Sequence, residues 1–108
     1  MKKGAVWTAS GGADYAGKPR PVVILQDDHF QDLNSVTICA FTSNLQEAPI
    51  LRLTIQPEAE NGLEHPSQLM IDKITTVPKA KLGRRIGRLG HADQLRLQQA
   101  VLVFLGYA

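Results

Sequence analysis

The sequence predicts a mainly β domain closed by one C-terminal helix (α+β), with five or more short, mostly antiparallel strands forming a curved sheet or small barrel. Three observations predict it. Branched and aromatic residues gather in short runs separated by Gly, Pro, Asn and Asp. Residues 50–56 alternate apolar and polar with a period of two. After Gly90 the apolar spacing becomes that of a helix, which Gly106 stops. At 108 residues the chain fits one domain, 1–108, large enough to build a core without metal or disulfide staples.

Residues 4–9 carry Val6 and Trp7 and read as a first strand, with Trp7 packed in the core or at an interface. Residues 10–19 are a glycine-rich loop. Gly12 to Lys18 matches the start of the phosphate-binding pattern G-x-x-x-x-G-K-[ST], but Pro19 stands where the magnesium-holding hydroxyl belongs. The context fails as well: that motif opens a helix, whereas Arg20-Pro21-Val22-Val23-Ile24-Leu25 reads as a strand. Nucleotide hydrolysis is thereby excluded.

The chain is organised around Lys18-Pro19-Arg20-Pro21-Val22-Val23-Ile24-Leu25-Gln26-Asp27-Asp28. Two prolines set Arg20 where a loop enters a buried strand. A guanidinium is always charged and offers five donors in a rigid fork, so Arg20 there either binds a phosphate or carboxylate or forms a salt bridge at a loop edge. Residues 27–34 hold three aspartates and His29; the spacing matches no metal cage and predicts a short helical turn. A third strand, 35–41, delivers Thr42-Ser43-Asn44 at its end, where hydroxyls and an amide either terminate the ladder or bind phosphate oxygens.

In 50–56 the alternation puts Leu51, Leu53 and Ile55 inside and Arg52, Thr54 and Gln56 outside. Asn61-Gly62 centres a turn over 58–66, residues 67–71 resume a strand, and Asp72 closes it. Residues 75–83 form an extended piece running into a turn, and 84–89 a brief edge strand. From 91 to 105 the chain is helical, with Gly90 as cap, Asp93 in the first turn and Gly106 as the stop. Leu97, Ala100, Val101 and Phe104 make one apolar stripe. Leu95, Leu102, Val103 and Leu105 widen it beyond what one sheet covers, which points to a homodimer contact.

Net charge is only +2, yet half of the twelve basic residues, Lys73, Lys79, Lys81, Arg84, Arg85 and Arg88, lie in a stretch without an acid between Asp72 and Asp93. Such a run is either a solvated face or a groove wall for nucleic-acid phosphates. The single cysteine, Cys39, sits in an apolar alternation and reads as core, which fits a reducing cytoplasm. No apolar run is long enough for a membrane helix, so a soluble cytoplasmic protein with no membrane partner is expected.

In their order and spacing these pieces resemble the MazF/PemK family, the toxin endoribonucleases of bacterial toxin–antitoxin pairs. The resemblance runs through Lys3-Gly4-Ala5-Val6-Trp7, the Lys18–Asp28 stretch, Phe41-Thr42-Ser43-Asn44-Leu45, Leu69-Met70-Ile71-Asp72-Lys73-Ile74-Thr75-Thr76-Val77, Arg85-Ile86-Gly87-Arg88-Leu89 and the closing helix. It implies a homodimeric SH3-like barrel of the CcdB/PemK type. It also implies cleavage of single-stranded mRNA at short motifs without metal or other cofactor, and a cognate antitoxin as partner. By resemblance Arg20 corresponds to the catalytic arginine, Thr42, with Ser43 beside it, to the hydroxyl at the scissile phosphate, and Asp72 to the general base of the PemK branch. The sequence departs from that branch at Met70, where PemK-type enzymes carry a second catalytic arginine; Arg20 would then work alone, as electrostatic and proton-donating group, as in the MazF branch.

The chemistry asks little of the protein. RNA brings its own nucleophile, the 2′-hydroxyl, so the enzyme deprotonates it, stabilises the phosphorane and assists departure of the 5′-oxygen. Lys18, Ser43, Asn44, Arg85 and Arg88 are candidate RNA contacts, and Tyr15 and His29, with Phe30, are candidate stacking platforms. Two rivals keep the fold. A gyrase poison resembling CcdB would need a C-terminal tryptophan, whereas the only one here is Trp7. A degenerate binding module has Met70 in its favour.

Overall fold

The computed structural model describes residues 1–10 and 18–108. The chain runs β1 (Ala5–Ala9), β2 (Arg20–Ile24), a 3₁₀ turn (Asp28–Phe30), β3 (Ser35–Thr42), β4 (Arg52–Ile55), β5 (Ser67–Met70), a 3₁₀ turn (Ile71–Lys73), β6 (Thr75–Pro78), a third such turn (Lys79–Lys81), β7 (Leu82–Arg88) and α1 (His91–Leu105). The sheet order is β4-β5-β3-β2-β1-β7, every pairing is antiparallel, and β6 joins β3. The mainly β architecture with one closing helix is therefore the one that the sequence predicts.

β3 is the centre because its eight residues are long enough to serve three partners. Its first half pairs β6 (Ser35 to Ile38), its last two residues pair β5, and β2 runs along residues 38–40. The sheet is buried on both faces, which explains why Val22, Val23 and Ile24 form an unbroken apolar run. On one face Val23, Cys39, Phe41, Leu53, Ile55 and Leu69 meet α1 through Leu97, Ala100 and Val101. On the other Val22, Ile24, Val36, Ile38 and Ala40 are covered by Trp7, Met70, Val77 and Leu82. Cys39 is fully buried, its Sγ donates to the Met70 carbonyl (3.4 Å), and burial pushes its thiol up to about 12, which makes it core.

Four positions differ from the sequence expectation. Arg52, expected outside, keeps only 11% of its side chain exposed because Asp72 and the Leu51 carbonyl receive its guanidinium. Asn61, expected at the centre of a turn, is buried there, 1% exposed. Its Oδ1 accepts from Glu58 N–H and Leu63 N–H (3.0 Å each) and its Nδ2 donates to the Gln56 carbonyl (2.9 Å), so it acts as an internal strut of the 56–66 loop. β7 is seven residues long rather than brief, since register shifts along β1 let it follow that strand to its end. Phe104 is 44% exposed and leaves the stripe; Leu95, Val103 and Leu105 of α1 and Tyr107 just beyond it are exposed as well.

The helix boundaries follow the sequence signals. Gly90 is the extended N-cap, and Gly106 takes a left-handed conformation (φ 81°) with its N–H turned back to the Leu102 and Val103 carbonyls. No helix among the described residues is long and apolar enough to cross a membrane.

Candidate functional site

Register brings the site together. β2 and β3 pair Ile24 with Ile38, Val23 with Cys39 and Val22 with Ala40. Carried two residues further toward the same rim, that register sets Arg20 level with Thr42. On the other side of β2, Ala9 pairs Arg20 and Thr8 pairs Pro21. The ends of β1, β2 and β3 thus meet at one edge, where they open into a groove of about 450 Å³.

The groove is lined by Lys18, Arg20, Thr42, Ser43, Glu64, His65 and Arg84, together with Thr8, Leu63 and Ser67. Arg20 is half-buried as the first residue of β2, and Pro19 and Pro21 hold residues 18 and 20 extended. Asn44 N–H donates to Thr42 Oγ1 (3.1 Å), which fixes the hydroxyl at the strand end. Behind it lies buried Gln68, opposite Thr42 on β5. Its Oε1 accepts from Gln46 N–H (3.0 Å), while its Nε2 donates to the Gln46 carbonyl (3.0 Å) and to Thr54 Oγ1 (3.1 Å). The two bonds to Gln46 hold the loop after Ser43, and the third anchors Gln68 to β4. Arg84 N–H donates to Thr8 Oγ1 (3.1 Å), tying β7 to β1 in the groove lining.

The far loop is built just as firmly. Gly62 has φ 72° and passes so close to β7 that a Cβ there would lie 2.2 Å from the Ile86 carbonyl oxygen. With the Asn61 strut, this fixes the approach of Glu64 and His65. Ser67 Oγ then donates to the His65 carbonyl (3.0 Å).

The remaining sequence candidates lie elsewhere. Asp72 is in the 3₁₀ turn after β5, outside the groove lining, where its carboxylate receives Arg52 and has Lys73 Nζ at 3.8 Å. Hydrogen bonding and attraction from Arg52 hold its carboxyl below the usual range. Met70 packs against the Val22 and Ala40 face. His29 stands on the turn beyond the opposite end of β2, where it bonds Asp27; hydrogen bonding with Asp27 raises the imidazole and lowers the carboxyl. The Asp27 side chain also accepts from His29 N–H (3.0 Å), so this segment is a capped turn. Arg85 pairs with Trp7 on β1, and Arg88 Nε lies 3.6 Å from Glu60 Oε1. Of the six basic residues between 73 and 88, only Arg84 is in the lining. Asn44 contributes its backbone rather than a lining side chain, and Tyr15 lies outside the described residues. Among the described residues no three His, Cys, Asp or Glu side chains are grouped to hold a metal ion.

The groove therefore offers cations, fixed hydroxyls and two proton acceptors. Such a set can hold a phosphodiester and move a proton beside it. The model of the PemK-like, MazF-like toxins of type II toxin–antitoxin systems matches residues 2–105. The chain belongs to this family. A curated relative, the probable endoribonuclease MazF of Mycolicibacterium smegmatis, is 49% identical over 108 residues, covering 100% of this chain and 99% of the relative. The solved Mycobacterium tuberculosis toxin MazF-mt6 superimposes with a TM-score of 0.81 at 28% identity, over 96% of this chain and 98% of that one. A mycobacterial endoribonuclease solved in complex with its cognate antitoxin shares the fold, with a TM-score of 0.83 at 19% identity over 100% and 97% of the two chains. The MazF-type fold thus frames the groove, and the two elements that carry Arg20 and Thr42 lie well inside the matched span.

Sequence reasoning missed Glu64, His65, Ser67 and Thr8. The first three belong to a loop and strand start whose approach to β2 depends on the long-range β3–β5 pairing. A Glu-His pair between two strands was the one available signal.

Proposed function

We propose that this chain is the toxin of a type II toxin–antitoxin pair, an endoribonuclease that cuts single-stranded mRNA at short motifs in the Arg20 groove. The observation that carries this reading is the convergence of Arg20, Thr42 and Ser43 on one open groove in a chain of the MazF-like family. Arg20 offers its fork to the nonbridging oxygens of the scissile phosphate and stabilises the charge that builds as the phosphorane forms. Thr42 and Ser43 orient the phosphate, and Lys18 and Arg84 guide the strand on either side. The 2′-hydroxyl is the nucleophile, so the reaction proceeds without a metal ion. Asp72 has a structural part: it neutralises Arg52 beneath β4 and the following turn.

Two further features complete the reading. The exposed apolar residues in the last turn of α1, Val103, Phe104 and Leu105, are the contact of a homodimer, and Phe104→Glu is expected to yield monomers in light scattering. The partner in the resting cell is an antitoxin, as in the complex of the mycobacterial relative, and the site of action is the cytoplasm, where mRNA is found.

The test is direct. Purified protein is incubated with mixed single-stranded RNA in EDTA and the fragment ends are analysed. Fragments with 2′,3′-cyclic phosphate ends are expected; intact RNA at high protein concentration, or cleavage only when a divalent metal is added, would overturn this reading.

A further inference from the structure

A reaction that starts at a 2′-hydroxyl needs a group to take its proton, and the groove narrows the choice. Asp72, the base suggested by resemblance, lies outside the lining and is committed to Arg52. Lys18, Arg20 and Arg84 carry their protons already, and Thr8, Thr42, Ser43 and Ser67 are hydroxyls. Among the described residues of the lining, Glu64 and His65 remain.

Electrostatics separates them. A carboxylate beside the scissile bond meets the like charge of the phosphodiester, whereas a neutral imidazole approaches without repulsion. Imidazole is also the side chain that most readily takes and returns a proton near neutrality. Local construction favours residue 65 as well. Pro66 restricts its backbone to the extended region, Ser67 Oγ fixes its carbonyl, and the Asn61 strut with the tight Gly62–Ile86 approach anchors the loop just before it. His65 is solvent-exposed and lines the same groove as Arg20 and Thr42.

We propose that His65 is the general base of the RNA cleavage, an inference that rests on the ribonuclease reading above. The unprotonated ring nitrogen takes the 2′-hydroxyl proton as the 2′-oxygen forms its bond to phosphorus. The bond from phosphorus to the 5′-oxygen breaks, and that oxygen takes a proton from water. The hydroxide so formed recovers the proton from the imidazolium, which restores His65. The products are a 2′,3′-cyclic phosphate and a 5′-hydroxyl. The charged groups that share the groove with the ring are Lys18 and Arg20 from the β2 wall, Arg84 from β7 and Glu64 from its own loop.

The experiment measures single-turnover cleavage of a short single-stranded RNA across pH for the wild type, His65→Gln and His65→Ala, with His91→Ala at the helix start as a control. His65→Gln is expected to slow cleavage by about a hundredfold or more, with KM nearly unchanged. The rise of rate with pH on the acid side, present in the wild type, is expected to vanish in this variant. Added imidazole is expected to restore a part of the lost rate to His65→Ala and none to Arg20→Ala. Near wild-type rates in both His65 variants would overturn the proposal. So would a slow His65→Ala that keeps the wild-type pH profile and ignores imidazole, since that outcome marks a residue that only positions RNA. A wild-type protein that cuts no RNA would instead refute the ribonuclease reading itself, and the proposal with it.

Discussion

Arg20 and Arg52 each begin a strand, and their surroundings differ. Arg52, on β4, is enclosed: its side chain is 11% exposed and is shared between Asp72 and the Leu51 carbonyl. Arg20, on β2, lines an open groove of about 450 Å³ together with Thr42, Ser43 and His65. The first arrangement ties β4 to the turn after β5. The second brings a guanidinium to a groove that also carries hydroxyls, a carboxylate and an imidazole. Two arginines that look alike in the sequence are thus placed in different settings by the fold, and the proposed cleavage site is assigned to the open one.

That contrast can be broken or sharpened by substitution. The largest effect is expected at the groove. Thr42→Ala removes a fixed hydroxyl and should lower the cleavage rate by roughly a hundredfold, in the range seen when one preorganised donor is lost, with the thermal midpoint little changed. Rapid-quench kinetics and thermal melts on the same preparation would show whether the two readouts separate.

A smaller effect is expected from the scaffold of the 56–66 loop. Asn61→Ala strips partners from Glu58 N–H, Leu63 N–H and the Gln56 carbonyl. It should cost about 1–3 kcal/mol, the scale of an unsatisfied buried polar group, in denaturant unfolding. Since this strut also sets Glu64 and His65, cleavage should weaken as well, though less than in Thr42→Ala.

The smallest effect concerns acid. The Asp72 carboxyl is held below its ordinary value of 3.8 by Arg52, so the unfolded chain binds its proton more readily than the folded one does. The stability this gives is present above the ordinary value and is lost as pH falls below 3.8 through the folded value. Asp72→Asn should therefore make the melting midpoint less steeply dependent on pH in that acid window. An unchanged slope would show that the pair adds nothing to the fold.

Much of the fold was legible in the sequence because local chemistry set it. Pro19 and Pro21 marked the entry to β2, the alternation over 50–56 gave β4, and Gly90 and Gly106 bounded α1. What stayed hidden depends on pairing between distant segments. The level position of Arg20 and Thr42 follows from the β2–β3 register, and no property of either strand alone states it. Asp72 and Arg20 look equally apt as polar residues near strand ends, yet the turn after β5 carries Asp72 to Arg52. Asn61-Gly62 reads as an ordinary surface turn because the close passage of Ile86, which makes it internal, comes from a strand some 25 residues later. Phe104 fits the helix stripe by spacing, yet only Leu97, Ala100 and Val101 of that stripe pack on the core.

Arg20→Ala and Asp72→Asn, both verified as folded, are best compared for cleavage of the same single-stranded RNA in EDTA. Arg20→Ala is expected to be inactive, and Asp72→Asn to cut at close to the wild-type rate with the same 2′,3′-cyclic ends. A cleaving Arg20→Ala protein, or an inactive Asp72→Asn protein that is fully folded, would contradict the assignment of Arg20 to cleavage and of Asp72 to the scaffold.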